Sequence, residues 1–148
     1  MKRILIFVAI FIVLVVGFVF LSNKKNETAE TKSNPYEISL KQINSNLKGG
    51  SLLIDVRTAK EYKADHAVGA VNIPIEDIQK GTYPNVDKDK IIYVYCHSGR
   101  RATQAETILE KEGYKNVINL KSLYGWVALN GKTEGSNPTC SLESKSSC

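Results

Sequence analysis

The apolar and polar positions divide the chain into stretches of different character. Behind Met1, Lys2 and Arg3, an uninterrupted apolar run extends from Ile4 to Leu21. At about 18 residues and a helical rise, it reaches roughly 27 Å, close to the hydrocarbon thickness of a bilayer. The run is longer than the apolar region of most cleaved signals, and its one passable small-x-small site, Val15-x-Gly17, lies inside it. The pattern predicts an uncleaved transmembrane anchor over residues 1–21, with a cleaved signal as the alternative. Lys2, Arg3 and the amino terminus slightly outweigh Lys24 and Lys25 on the other flank. That excess predicts a single-pass, N-inside anchor with the remaining chain outside the cytoplasm. Residues 22–35 are polar and charged without an apolar period and read as a tether.

A different pattern begins near Tyr36. Leu40, Ile43 and Leu47 share one helical face after the capping sequence Ser39-x-x-Gln42, and Gly49-Gly50 ends it. Leu52 to Val56 is a short buried strand that runs into charge at Asp55 and Arg57. Thr58-x-x-Glu61 is a second capping sequence and opens a brief helix. Ala70 to Pro74 is another short strand, followed by a helical turn or two at Ile75 to Gln79. Ile91 to Tyr95 and Val117 to Leu120 complete the strand set. Between these two, Ala102, Ala105, Ile108 and Leu109 recur at helical spacing, with Gly113 as the stop. Short apolar strands alternating with helices predict an α/β fold with a central, mostly parallel sheet flanked by helices. The predicted globular part covers residues 36–131. Beyond it, residues 132–148 are serine-rich and without period, and read as a flexible tail.

Composition changes this picture little. The chain has 148 residues, enough for one ordinary domain once its ends are subtracted. Its net charge of +5 comes from scattered lysines rather than a massed face, so no nucleic-acid partner is predicted. Mildly basic character suits small anionic substrates and an anionic membrane surface equally. Of three cysteines, Cys96, Cys140 and Cys148, at least one must remain free within a single chain. Cys96 is the expected free thiol. Free tail thiols are also expected, with a Cys140–Cys148 loop as the alternative in an oxidising compartment. No CxxC, HExxH or zinc-spaced cluster occurs, so neither a metal nor a cofactor is predicted.

The candidate chemistry lies at Cys96, where an apolar strand ends and a helix begins. Backbone N–H groups and the helix dipole favour an anion at such a junction. They therefore favour the thiolate, which is the nucleophilic form of cysteine. Gly99 allows the backbone to curl around the sulfur, and a guanidinium fork at Arg101 or Arg100 suits the oxygens of a small oxyanion.

Four segments in order strengthen this reading: Leu53-Ile54-Asp55-Val56-Arg57, Glu61-Tyr62, His66-x-x-Gly69-Ala70-x-Asn72-Ile73-Pro74, and Tyr95-Cys96-x-x-Gly99-x-Arg101. Together they resemble a single-domain rhodanese over about residues 36–131. The resemblance implies a rhodanese-like α/β fold and a sulfurtransferase in which Cys96 accepts a sulfane sulfur. It implies that His97, Ser98, Gly99, Arg100 and Arg101 cradle the donor and the persulfide, with Asp55 and Arg57 as supporting charges. Thiosulfate is the implied donor, and cyanide, a thiol or a protein cysteine the implied acceptor. One segment departs from the family. Leu120 to Trp126 lacks the Gly-Gly pair often found after the last strand, which leaves the pocket wall on that side open to variation.

Three competing readings remain. Phosphatases and arsenate reductases use a Cys-x5-Arg loop, whereas Ala102 occupies that position here and the arginine comes one residue earlier. A membrane-tethered, non-catalytic interaction module is the second. The third is a thiol redox protein pairing Cys96 with a tail cysteine. His66 and His97 read as structural or loop residues rather than as general bases.

Overall fold

The computed structural model of the protein describes residues 38–144. The expected anchor and tether, residues 1–35, lie outside them, as does Cys148. Among the described residues no helix is long and apolar enough to cross a membrane.

Helix α1, Leu40–Lys48, is capped by Ser39, whose hydroxyl accepts the Gln42 amide at 3.2 Å. The Gln42 side chain turns along the helix to Asn46 Oδ1, so the cap is single rather than reciprocal. Strand β1 is Leu52–Asp55 and helix α2 is Ala59–Ala64, the latter opened by a complete capping box between Thr58 and Glu61. Strands β2, His66–Ala67, and β3, Val71–Asn72, lead to helix α3, Ile75–Gln79. Strand β4, Ile91–Cys96, passes into helix α4, Arg100–Lys111, and Gly113 follows in the left-handed conformation. Strand β5, Asn116–Ser122, helix α5, Leu123–Ala128, and strand β6, Thr133–Glu134, complete the elements of the described residues.

The main sheet is parallel, in the order β3-β1-β4-β5. β4 lies inside it, and its side chains alternate between two cores, as the period of an extended strand requires. Ile92, Val94 and Cys96 join Ile54, Val56, α3 and the buried Ala102, Ala105 and Leu109 of α4. Tyr93 and Tyr95 point to the other face, among Leu53, Ile43 of α1, and Leu123 and Trp126 of α5. Both buried hydroxyls have partners: Asn46 Nδ2 donates to Tyr93 at 2.6 Å, and the Ala67 amide donates to Tyr95 at 3.0 Å. This removes the penalty of an unpaired polar group in an apolar layer. The strands and helices expected between residues 40 and 120 are all present, with ends shifted by a residue or a few.

The stretch beyond residue 131 differs from expectation. β6 pairs antiparallel with β2, placing Glu134 opposite His66. The Ser136 and Asn137 amides donate to the Lys63 and Ala64 carbonyls at 2.9 and 2.8 Å. The Thr139 and Cys140 amides both donate to Asp65 Oδ2, at 2.9 and 2.7 Å. These residues form a strap tied to the end of α2 through main-chain groups, which leave no apolar period to read. Two close approaches seat it. A Cβ on Gly135 would lie 2.4 Å from the Ala64 carbonyl oxygen, and one on Gly131 would lie 2.2 Å from the Trp126 ring. Trp126 in turn donates its indole N–H to the Lys132 carbonyl at 2.8 Å. Cys140 is buried and disulfide-bonded, against the expectation of free tail thiols, and Cys96 is free.

Removing the Asp65 carboxylate should release the strap. Asp65→Ala is expected to cost about 1–3 kcal/mol, the penalty for leaving buried donors unpaired, while Asp65→Asn, which keeps one acceptor oxygen, should cost less. Native-state hydrogen exchange reads this directly. The Thr139 and Cys140 amides should lose protection in Asp65→Ala, and unchanged exchange at both would rule out Asp65 as the tie.

Candidate active-site loop

β4 carries Cys96 at its end, and the chain turns through His97, Ser98 and Gly99 before α4 starts at Arg100. Gly99 stands at φ 92° and ψ −25°, a left-handed conformation that glycine adopts without a Cβ penalty. That turn aims the Gly99 amide at Cys96 Sγ, 3.1 Å away. On its other side the sulfur lies 3.6 Å from the Lys121 carbonyl oxygen, to which a thiol donates. Cys96 is fully buried, while His97, Ser98 and Arg100 are exposed and Gly99 and Arg101 half-buried. The sulfur therefore forms the floor of the loop, with the N-terminus of a twelve-residue helix beside it. Removed from water, a negative sulfur here would be held by an amide and by the helix dipole.

Arg101 occupies the first turn of α4, and its fork is already engaged. Nη1 donates to Glu61 Oε2 at 2.8 Å and Nη2 to Glu61 Oε1 at 2.7 Å. Glu61 Oε2 also accepts from the Thr58 amide and hydroxyl, at 3.0 and 2.7 Å. One carboxylate thus caps α2 and clasps the active-site helix. The Arg101 hydrogen bonds, aided by those from Thr58, hold the Glu61 carboxyl down to about 2. Glu61 in turn pushes the Arg101 guanidinium further up, and the neighbouring Cys96 charge adds to the effect. The bidentate fork expected to meet a donor's oxygens instead meets a carboxylate of the protein. Arg101 faces Cys96 as an oriented and largely neutralised cation.

Asp55 and Arg57 do form an ion pair, 2.7 Å from Oδ2 to Nη2, and both are buried. Asp55 also accepts the Arg57 amide at 2.9 Å, and Arg57 Nη2 donates to the Asp65 carbonyl. The guanidinium carbon lies 5.8 Å from the Tyr95 ring centroid. Burial, with the Asp55 charge adding to it, pushes the Tyr95 hydroxyl well above the usual phenol range. Asp55 shares its sheet face with Leu53 and Tyr95, whereas Cys96 shares its face with Val94. The pair braces the strand ends from behind the loop rather than lining it. His66 is likewise structural: its ring stacks on Tyr62 at 3.8 Å and Nδ1 lies 2.7 Å from the Tyr62 carbonyl.

Lys121, beside the sulfur, and Asn119, which holds it, carry no motif. Lys121 supplies the carbonyl on Sγ, and Asn119 Oδ1 accepts the Lys121 amide at 2.8 Å. The missing Gly-Gly pair between Leu120 and Trp126 marked this wall as variable but pointed to neither residue. Among the described residues, no group of three or more His, Cys, Asp or Glu side chains is placed to hold a metal ion.

This arrangement, a cysteine floor under a left-handed glycine at the end of a parallel strand, is that of a cysteine-loop α/β protein. The model of the rhodanese-like domain matches residues 39–129, and the chain belongs to that family. YrkF of Bacillus subtilis is 35% identical over 118 residues, covering 78% of this chain and 62% of its own length. Thiosulfate sulfurtransferase PspE of Escherichia coli is 39% identical over 71 residues, which cover 47% of this chain and 68% of PspE. A solved structure described as rhodanese with anions from Escherichia coli is 31% identical with a TM-score of 0.50, covering 58% of this chain and 99% of that one. The chain thus spans a little under two thirds of the length of YrkF.

The Glu61–Arg101 clasp makes a pH prediction. Glu61 titrates near 4.5 when unperturbed and at about 2 in the fold, so its contribution to stability is fully present above pH 4.5. It is lost as pH falls through about 2. Glu61→Gln should therefore be less stable than the parent at pH 7, with the difference shrinking below pH 4.5 and closing near pH 2. Urea unfolding across that range checks it, and a pH-independent difference would reject the linkage.

Proposed function

We propose that the protein is a sulfurtransferase that moves a sulfane sulfur from thiosulfate, or a related small anionic donor, to a thiophilic acceptor through a Cys96 persulfide. The observation that carries this reading is the Gly99 amide on Cys96 Sγ at the N-terminus of α4. The Cys96 thiolate attacks the outer sulfur of thiosulfate, the S–S bond of the donor breaks, and sulfite leaves with its electron pair. Cys96 then carries the transferred sulfur as a terminal persulfide anion. Cyanide, a low-molecular-weight thiol or a protein cysteine attacks that terminal sulfur and returns Cys96 as thiolate. The Gly99 amide and the helix terminus serve the anion at each stage. Arg101, steadied by Glu61, adds a positive field beside it. The name of PspE supports thiosulfate as the donor class.

Two alternatives are disfavoured by geometry. The turn between β4 and α4 contains only residues 97–99, and Arg101 is bonded to Glu61. Both features leave little room or charge for a tetrahedral phosphoryl or arsenate group. Cys140 is already disulfide-bonded while Cys96 is free, which supports a persulfide carrier over exchange between these two cysteines. The apolar run from Ile4 to Leu21 supports tethering of this activity to a membrane, with the domain on the extracytoplasmic side.

Incubation with thiosulfate should add one sulfur to Cys96, seen by mass spectrometry of the intact protein. Cys96→Ser should gain none and retain only a trace of sulfur transfer to cyanide, because a hydroxyl is a poor nucleophile at its ordinary pKa. Aryl phosphate or arsenate turnover matching the sulfur-transfer rate, and lost in Cys96→Ser, would sink the assignment. Protease added to intact, wall-stripped cells should remove the domain. Protection that ends only on lysis would place it on the cytoplasmic side.

A further inference from the structure

We propose that Lys121 is a specificity residue that sets a preference for anionic partners of Cys96, its mobile ammonium adding a second positive charge at the loop rim to that of Arg101, which Glu61 holds in place. The inference rests on the sulfur-transfer reading for its substrate, and its test does not.

The register of the sheet shows where Lys121 stands. Val94 pairs with Asn119, and Cys96 pairs with Ser122. Leu120 and Lys121 together thus face the single residue Tyr95, a bulge on β5 next to the nucleophile. Bulges re-aim side chains beside functional sites. Lys121 takes φ 68°, a left-handed conformation uncommon for a residue with a side chain. Such a residue is strained and persists where its surroundings dictate it. Glycine would adopt the same conformation freely; the lysine found here instead puts a charged side chain at this bend.

The surroundings do dictate it. Asn119 Oδ1 accepts the Lys121 amide, while Asn119 Nδ2 donates to Thr103 Oγ1 and Glu106 Oε2 on α4, each at 3.0 Å. The bulge is thereby fastened to the same helix whose N-terminus faces Cys96. The Lys121 carbonyl is turned to Cys96 Sγ, and a Cβ on Gly99 would lie 3.5 Å from Lys121 Cβ. With both its main-chain groups engaged, Lys121 starts its side chain from a fixed point against the loop.

That side chain is exposed, and among the described residues its ammonium makes no ion pair. Arg101, by contrast, is matched by Glu61. Arg100 is the other cation of the loop, exposed on the first turn of α4. The Lys121 main chain meets the sulfur from the β5 side, and its Cβ lies against Gly99 of the loop. A flexible, strongly hydrated point charge at that rim suits an anionic donor that must enter and an anionic product that must leave.

Cys96 alkylation tests the charge independently of sulfur transfer. Iodoacetate is anionic and iodoacetamide neutral, and the two are close in size, so the ratio of their rates at Cys96 reads the local potential. Peptide mass spectrometry of the full chain assigns the label to Cys96. Lys121→Gln should lower the iodoacetate-to-iodoacetamide ratio roughly three- to tenfold, Lys121→Glu further, and Lys121→Arg should keep most of it. The effect should fade in high salt. Lys121→Gly, which also relieves the left-handed backbone, should lose the ratio without loss of thermal stability. A ratio unchanged in Lys121→Gln and Lys121→Glu would overturn the proposal. So would equal slowing of both reagents, which would mark Lys121 as a purely structural residue. If the ratio shifts as expected but wild type takes no sulfur from thiosulfate, Lys121 stands as the cation over the thiol and the sulfur-transfer reading fails.

Discussion

Any negative charge placed on the Cys96 sulfur, buried at the end of β4, would lose the water that otherwise solvates it, and the rest of the site is arranged to replace that water. Desolvating an unpaired charge is costly by several kcal/mol, so donors must already be in place. The Gly99 amide is one, and it points at the sulfur only because Gly99 accepts a left-handed turn. The terminus of α4 is another, and it is held in position by Ala102, Ala105 and Leu109 packed on the sheet. Arg101 contributes a third positive influence, oriented by Glu61 from a helix forty residues earlier in the chain. Sheet, helix and clasp converge on one atom.

The two faces of the sheet divide the work. Behind the loop, Asp55, Arg57 and Tyr95 form a buried polar cluster whose charges are matched and hydrogen-bonded. Breaking such a pair from one side is far more destabilising than omitting it altogether, because the remaining charge is stranded. That cluster braces the carboxyl ends of β1 and β4, so the backbone from which the loop departs does not drift. On the loop face the cations differ in kind. Arg101 is fixed and neutralised, whereas Arg100 and Lys121 are exposed.

Much of this was legible in the sequence, for reasons tied to particular residues. The apolar run Ile91–Tyr95 followed by Ala102, Ala105 and Leu109 at helical spacing reported a buried strand and a helix packed on it, and hence the junction at Cys96. Thr58 and Glu61 reported the start of α2 through their spacing. The partner of Glu61 across the site was not legible, because the contact with Arg101 depends on tertiary placement rather than on local sequence. Lys121 was hidden for a related reason: nothing in the letters shows that a lysine will take a left-handed bend. The strap from β6 to Cys140 escaped because its ties are main-chain amides to Lys63, Ala64 and Asp65, which impose no side-chain period.

The seat of Trp126 has an optical consequence. It is the sole tryptophan of the chain, it is almost completely buried, and its indole N–H is bonded to Lys132 where the strap begins. Gly131 lies flat against its ring with no space for a methyl group. Excited at wavelengths that tyrosine does not absorb, the protein fluoresces from one ring wedged between α5 and the strap. Its emission colour is a built-in gauge of whether the carboxyl-terminal segment is seated, readable without any label and without disturbing the thiol at Cys96.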